Sequence, residues 1–377
     1  MRPMPRQVRI MTESSQIGME WSRRQLLRAA CSLAAAPAVL GQKGKRGKQG
    51  ARKKAAPAAK PENLVWPLPP EKPRIRYLQS LSGSLDVEPP KKKGFIARLI
   101  NEDEAVTALS FERPAGIALD SRNRIYVTDT LRGAVFVFDL EGKKLDLLGT
   151  EGRGRLTNPL GIAIDSADRV YVSDVRQKLI QVYDPKWELM ATIGTAGKER
   201  LVNPVGLAVD EARNRLLVVD SQAHKVHALM LDNFAAAGSV GKRGEEDDEF
   251  NYPGYVALGK DGTVYVSDTL NFCVKAFDPE LKFLRRIGEH GTGVGMFDRP
   301  KGVALDSDDN LYVADASFSN VQIFNREGRL LLFIGSFGEG AGSFRLPASV
   351  FIDRSNRLLV ADQVNRRVQI FQYLGGD

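Results

Sequence analysis

From residue 111 to the C-terminus, apolar and polar positions alternate in bursts of five or six residues separated by turns rich in Asp, Asn, Gly, Ser and Arg. That is the period of short half-buried strands, and no stretch of this region carries the 3.6-residue spacing of an amphipathic helix. One unit reads as four strands: GIALD at 116–120, a polar turn SRNR, a β-branched strand over 125–128, a third strand over 134–139, a turn around Glu141 and Gly142, and a fourth strand ending at Gly149. The unit then repeats. Pro114, Pro159, Pro204, Pro253, Pro300 and Pro347 open six copies spaced 45, 45, 49, 47 and 47 residues apart. Asp129, Asp174, Asp220, Asp268, Asp315 and Asp362 end the second strand of each copy, in YVTD, YVSD, LVVD, YVSD, YVAD and LVAD.

A four-stranded unit with an apolar face on either side can bury itself only against neighbours, and copies of this length close into a ring of blades. The prediction is an all-β, six-bladed β-propeller of four-stranded antiparallel blades over residues 71–377. Innermost strands converge on the axis and have least room, which accounts for Ala118, Ala163, Ala208, Ala257 and Ala304 at one shared position; Phe351 replaces them in the sixth copy and is expected to fill a wider gap. The sixth copy stops after three strands, at Tyr373, whereas residues 74–83 (RIRYLQSLSG) look like the missing fourth strand. The N-terminal strand should therefore close the last blade and remove its open edge. Ahead of it, residues 66–70 (WPLPP) read as an extended spacer, and residues 91–101 (KKKGFIARLIN) as a short helix near 93–101 with Phe95, Ile96, Leu99 and Ile100 on one side.

Charge divides the chain. Residues 1–60 hold 14 Lys and Arg against 2 acids, which of the 54 basic and 46 acidic residues in total leaves 40 basic and 44 acidic for the rest. The folded part is thus mildly acidic, which argues against nucleic acid as its partner, because a phosphate-binding surface has to lie on the fold itself. Residues 22–28 (SRRQLLR) precede the apolar run 29–40, too short to span a bilayer, and a basic stretch. With Arg23 and Arg24 this resembles the bacterial twin-arginine export signal, which implies a signal peptide over 1–41 and a periplasmic or extracellular protein. Cleavage after Ala38 or Gly41 fits equally. A lipid on Cys31 would want an apolar residue at position 28, where Arg28 stands. Residues 42–70 read as a basic disordered linker; the eight Lys and Arg of 42–60 offer peripheral membrane association.

The pattern P-x-G-[IV]-A-[LI]-D, then Y-V-x-D and V-x-x-F-D, resembles the NHL repeat family over residues 111–373. Tyr255 and Ser349 depart from it where Gly is usual, and residues 227–230 (HALM) depart in the third unit; these are expected to alter local turns. The family includes RNA-binding and protein-binding modules, lyases and lactonase-like relatives, so the resemblance implies a fold and leaves the function to the site.

The candidate chemistry is thin. The six repeated Asp residues each precede a tight loop whose amides a carboxylate can cap, a structural job. Residues 306–310 (DSDDN) have the look of a calcium loop but lack the Gly and distant Glu of an EF-hand, and occupy a hairpin turn. Residues 245–249 (EEDDE) read as a solvated loop. Of the three histidines, His224, His227 and His290, no two occupy equivalent positions in different blades, so a metal held on the axis by His, as the resemblance to propeller lyases would imply, has no ligand set here. Lactonase-like relatives use Glu, Asn and Asp, whereas the inner strands here carry carboxylates only at one end. Catalytic residues, metal and cofactor are therefore all assigned as none. The reading is a monomeric binding or scaffold protein that recognises a protein, peptide or glycan of the cell envelope through one face, termed the top. Its candidate residues stand before each repeat proline (Arg113, Asn158, Asn203, Tyr252, Arg299, with Leu346 in the sixth unit) and in the loops between second and third strands (Arg132, Arg176, His224, Phe272, Phe318, Arg366), since Arg and aromatic side chains are enriched in binding hot spots. A metal-dependent lactonase or lyase is the alternative, and an RNA-binding module the second.

Overall fold

The computed structural model describes residues 64–88 and 108–375. The segment 1–41 read as an export signal, the basic stretch 42–60 and the segment read as a helix near 93–101 lie outside the described residues.

Six antiparallel sheets follow one another along the chain, each running from an inner to an outer strand. The first comprises Pro114–Leu119, Ile125–Asp129, Ala134–Asp139 and Lys144–Leu148; blades 2 to 5 begin with Pro159–Ile164, Pro204–Asp210, Pro253–Leu258 and Pro300–Leu305. The sixth supplies Pro347–Ile352, Arg357–Asp362 and Arg367–Tyr373, and its outer strand is Ile75–Leu81 from the N-terminal side, with Ile75 opposite Tyr373 and Leu81 opposite Val368. The ring is closed as the repeat count required. Val65–Trp66 pairs with Ile75 and Arg76 as a fifth strand, and the Trp66 ring meets Phe371 edge-on at 5.6 Å. The fold thus reaches back to Leu64, into the span assigned to linker and spacer, because the apolar Leu64 and Trp66 side chains cover the outer end of the blade 5/6 core.

Each junction between blades holds its own apolar cluster. Ala118, Tyr126 and Val137 of blade 1 pack on Ile162, Val170 and Val172 of blade 2, and Phe136, Phe138 and Ile125 of blade 1 on Leu359, Ala361 and Ile370 of blade 6. An outer strand must serve two junctions, though strict alternation gives each face only every second residue. A β-bulge solves this. In the closing strand it falls between Tyr77 and Gln79, so Ile75 and Tyr77 face blade 5 while Leu81 faces blade 1; one extra residue reverses which face the following side chains meet.

Close approach at the axis explains the repeat glycines. A Cβ on Gly161 would lie 1.8 Å from the Val205 carbonyl oxygen of the next blade. The hydroxyl in Y-V-[TS]-D completes the joint: Thr128 Oγ1 accepts the Gly116 amide at 2.7 Å and donates to Leu160 O at 2.7 Å, and Ser173 does the same with Gly161 (2.8 Å) and Val205 O (2.7 Å).

Candidate functional site at the top mouth of the channel

The repeated Asp carboxylates are fully buried. Asp129 accepts the amides of Glu112 and Arg113 at 2.6 and 3.0 Å on one oxygen, and those of Leu131 and Arg132 at 3.1 and 3.0 Å on the other. Asp174 binds Thr157, Asn158, Arg176 and Gln177 in the same way. Burial pushes the Asp174 carboxyl up, but these bonds outweigh it and hold it below the ordinary carboxylate range. One carboxylate therefore ties the loop before the repeat proline to the loop after the second strand. That is why the two sets of candidate residues share one end of the propeller: Arg113 and Arg132 meet on Asp129, Asn158 and Arg176 on Asp174, and Arg299 and Phe318 on Asp315.

Several of these residues are engaged within the fold. Arg132 donates to Ser110 O at 2.7 Å and pairs with Glu112 at 3.4 Å. His224 is buried, with Nδ1 3.1 Å from Phe250 O and 3.2 Å from the Tyr252 amide nitrogen, and its ring meets that of Tyr252 edge-on at 4.9 Å. It positions the Tyr252 loop. Phe272 lies against His290, ring centres 4.2 Å apart. Arg113, Arg176, Arg299 and Arg366 are exposed, as are Tyr252 and Leu346.

The axial channel holds a cavity of about 280 Å³, walled by inner-strand residues such as Ile117, Ile162 and Val303. Two aromatic side chains mark its ends, and both stand where the repeat pattern is broken. Tyr255, in place of Gly, lines the channel and also the top-mouth cavity. Phe351, in place of Ala, lines the channel and also the bottom-mouth cavity. Phe351 faces Leu359 across the sheet, whereas Ala118, Ala163, Ala257 and Ala304 face Tyr126, Tyr171, Tyr265 and Tyr312. Phe351 also packs against the blade 6/1 cluster, so it fills space at that junction as well as forming part of the channel wall. The departure at Tyr255 likewise reaches beyond a local turn.

The two mouths carry opposite charge. The top cavity, about 320 Å³, is lined by Tyr252, Tyr255, Leu270, Thr269, Arg299 and Lys301 among others, with no carboxylate in its wall. The bottom cavity, about 410 Å³, is lined by Asp120, Asp165, Asp168, Glu211 and Asp353 with one cation, Arg354. Those bottom carboxylates are spent on the hairpins. Asp120 accepts the amides of Arg122 and Arg124 and the Arg124 guanidinium at 2.6 Å, Asp165 and Asp353 repeat this with Arg169 and Arg357, Asp168 takes Ser121 of the preceding blade, and Glu211 takes the Ser166 amide. Asp306 caps its own turn through the amides of Asp308 and Asn310 at 2.8 and 2.9 Å. Among the described residues no group of three or more His, Cys, Asp and Glu is placed to hold a metal ion. Burial pushes the Cys273 thiol up to about 12, and Asp268 adds to this, so it is no nucleophile at neutral pH.

Of the twelve candidate residues only Tyr252 and Arg299 line the top cavity, and its second cation, Lys301, is not among the twelve. A signal for it existed. It is the x of P-x-G, where the other units have Ala115, Leu160, Val205, Gly254 and Ala348.

The NHL repeat family matches residues 111–138, and a family described as 6-bladed beta-propeller matches residues 303–375. The chain is a six-bladed β-propeller carrying an NHL repeat. No curated protein matches it. Among solved structures this propeller is similar to virginiamycin B lyase from Staphylococcus aureus, with 12% identity and a TM-score of 0.53 over 79% of this chain and 99% of that one. It is also similar to a gluconolactonase from Xanthomonas campestris, with 17% identity and a TM-score of 0.55 over 70% and 86%. A third is an auxiliary nutrient binding protein from Bacteroides thetaiotaomicron, with 14% identity and a TM-score of 0.55 over 70% of each chain. At these identities the likeness is one of fold.

Proposed function

We propose that this NHL-type propeller is an exported, non-catalytic binding protein that recognises a protein, peptide or glycan of the cell envelope through its top face. The observation that carries the reading is the contrast between the two ends of the channel. At the bottom the carboxylates are consumed by the hairpins they cap, whereas at the top Arg113, Arg299 and Lys301 make no side-chain hydrogen bond or ion pair among the described residues, beside the exposed ring of Tyr252. Unspent Arg and Tyr side chains around a concave mouth are the usual anchors of recognition. The neighbours in fold include a nutrient binding protein, two lyases and a gluconolactonase, so the fold accommodates binding and chemistry alike. The binding reading is favoured because every repeated carboxylate already has its donors.

The test is capture from envelope extracts with the mature protein, compared with an Arg113→Ala, Arg299→Ala double variant. Loss of recovery in the variant is expected, and equal recovery would remove the top face as the site. Metal analysis together with a lactone and ester panel addresses the enzyme alternative directly: turnover with a stoichiometric metal would replace this reading.

A further inference from the structure

We infer that the top-mouth cavity takes a small carboxylate ligand, its anionic group held between Lys301 and Arg299 and its apolar body lying on Tyr252, Tyr255 and Leu270. The inference rests on the top face being the binding face, and goes beyond it by naming the chemistry.

The argument begins with placement. Lys301 follows the repeat proline of blade 5, at a position where every other blade has an apolar residue or Gly, and it is half-buried in the cavity wall. Its ammonium has no hydrogen-bond or ion-pair partner among the described residues, and neither does the guanidinium of Arg299 beside it. Elsewhere in this propeller buried cations are matched. Lys275 has Asp268 at 3.3 Å and the carbonyl of Glu246 at 2.6 Å, Arg215 has Asp210 at 2.9 Å, and Arg367 has Asp362 at 2.8 Å. An unmatched lysine in a recess carries a desolvation cost that the fold does not offset, and an anion supplied from outside would offset it. The protonation balance agrees. Burial lowers the proton affinity of Lys301, and the charges of Arg299 and Arg113 lower it further, so no anion of the fold compensates the two cations of the cavity wall.

The rest of the wall sets the ligand class. Leu160, Val205, Leu270 and the two tyrosine rings make most of it apolar, and Thr269 Oγ1 is already committed to Pro300 O at 2.9 Å. A fully hydrated polyanion would leave those surfaces uncovered. A carboxylate on a compact apolar or planar body meets both the charge and the apolar bed, and a recess of about 320 Å³ lies at the small end of ligand sites.

The experiment is equilibrium binding of benzoate to the full chain by calorimetry, with benzamide and inorganic phosphate as comparison probes. The expected result is saturable benzoate binding that weakens about tenfold or more in Lys301→Gln and in Arg299→Gln, no binding of benzamide, and weaker binding of phosphate than of benzoate. Benzoate binding unchanged in Lys301→Gln, benzamide bound as well as benzoate, or phosphate bound as tightly as benzoate would each overturn the inference. Thermal unfolding supplies an independent readout. Lys301→Met should unfold at the same temperature as the parent or higher, because it removes an unmatched charge, whereas a fall would mean that Lys301 has a structural partner and would also overturn the inference. If the benzoate test fails while capture still depends on Arg113 and Arg299, the top-face reading stands without this ligand class; if capture is also insensitive to them, the reading falls with it.

Discussion

Ring closure by the N-terminal strand can be tested with two truncations that act on different junctions. Ile75 is completely buried in the blade 5/6 cluster and Leu81 is 1% exposed in the blade 6/1 cluster, the bulge between them having turned their side chains to opposite faces. Cutting a buried Ile or Leu to Ala removes its transfer free energy and leaves a cavity, together costing about 2–5 kcal/mol. The two sites share no cluster, so the losses should add to within about 0.5 kcal/mol. At about 2 °C per kcal/mol for a domain of this size, Ile75→Ala and Leu81→Ala should each lower Tm by about 4–10 °C, and the double variant by roughly the sum. Differential scanning calorimetry of the full chain reads this directly. An ordinary fraying terminus would cost almost nothing, so variants within about 1 °C of the parent would refute the closure argument. A double variant no worse than either single one would refute the assignment of the residues to separate junctions.

Three further outcomes follow from the buried polar groups and the axial contacts. Lys275→Met leaves Asp268 buried without its cation and frees the carbonyls of Glu246 and Glu249, so denaturant unfolding should show a loss of about 3–5 kcal/mol, with proteolysis appearing first in the 245–249 loop. Asp174 has its folded proton affinity depressed, so its stabilisation is fully present above an unfolded value of about 3.9 and is lost as pH falls through the lower folded value. Asp174→Asn should thus cost about 1.5–3 kcal/mol at neutral pH, and the gap from the parent should narrow as urea titrations are carried below about pH 4. Gly161→Ala should lose about 3 kcal/mol or more, since its Cβ meets backbone rather than a movable side chain.

The architecture was written plainly in the sequence because it is periodic. Six prolines, six Asp residues and a missing strand constrain a ring more tightly than any single propensity, and the closing strand paired where the count required. The fifth strand at Val65–Trp66 was not legible, since two residues carry no alternation and their pairing depends on where Phe371 leaves an uncovered face. The candidate site divided along the same line. Residues that recur could be assigned: Asp129, Asp174 and Asp315 took the amides of the loop that follows them, whereas Asp268 and Asp362 meet that loop through the side chains of Asn271 and Asn365. Residues that break the pattern held the information about function. Tyr255 and Phe351 lie in one channel although 96 positions separate them in sequence, which only the closed ring reveals. Lys275 stands where Gln181, Gln322 and Gln369 stand in other blades, and that exchange marks the loop it pins as different. His224 has the place of a ligand group in a top loop, whereas in the fold its ring nitrogen is turned to the backbone before blade 4.

The central claim, that recognition takes place at the cationic mouth of this ring, is most directly tested by amide hydrogen exchange of the full chain with and without a partner captured through the top face. Slowed exchange confined to residues 250–255 and 298–302, with the hairpins at 120–124, 165–169 and 353–357 unchanged, is the predicted result. Protection of those hairpins with the top loops unaffected would contradict it.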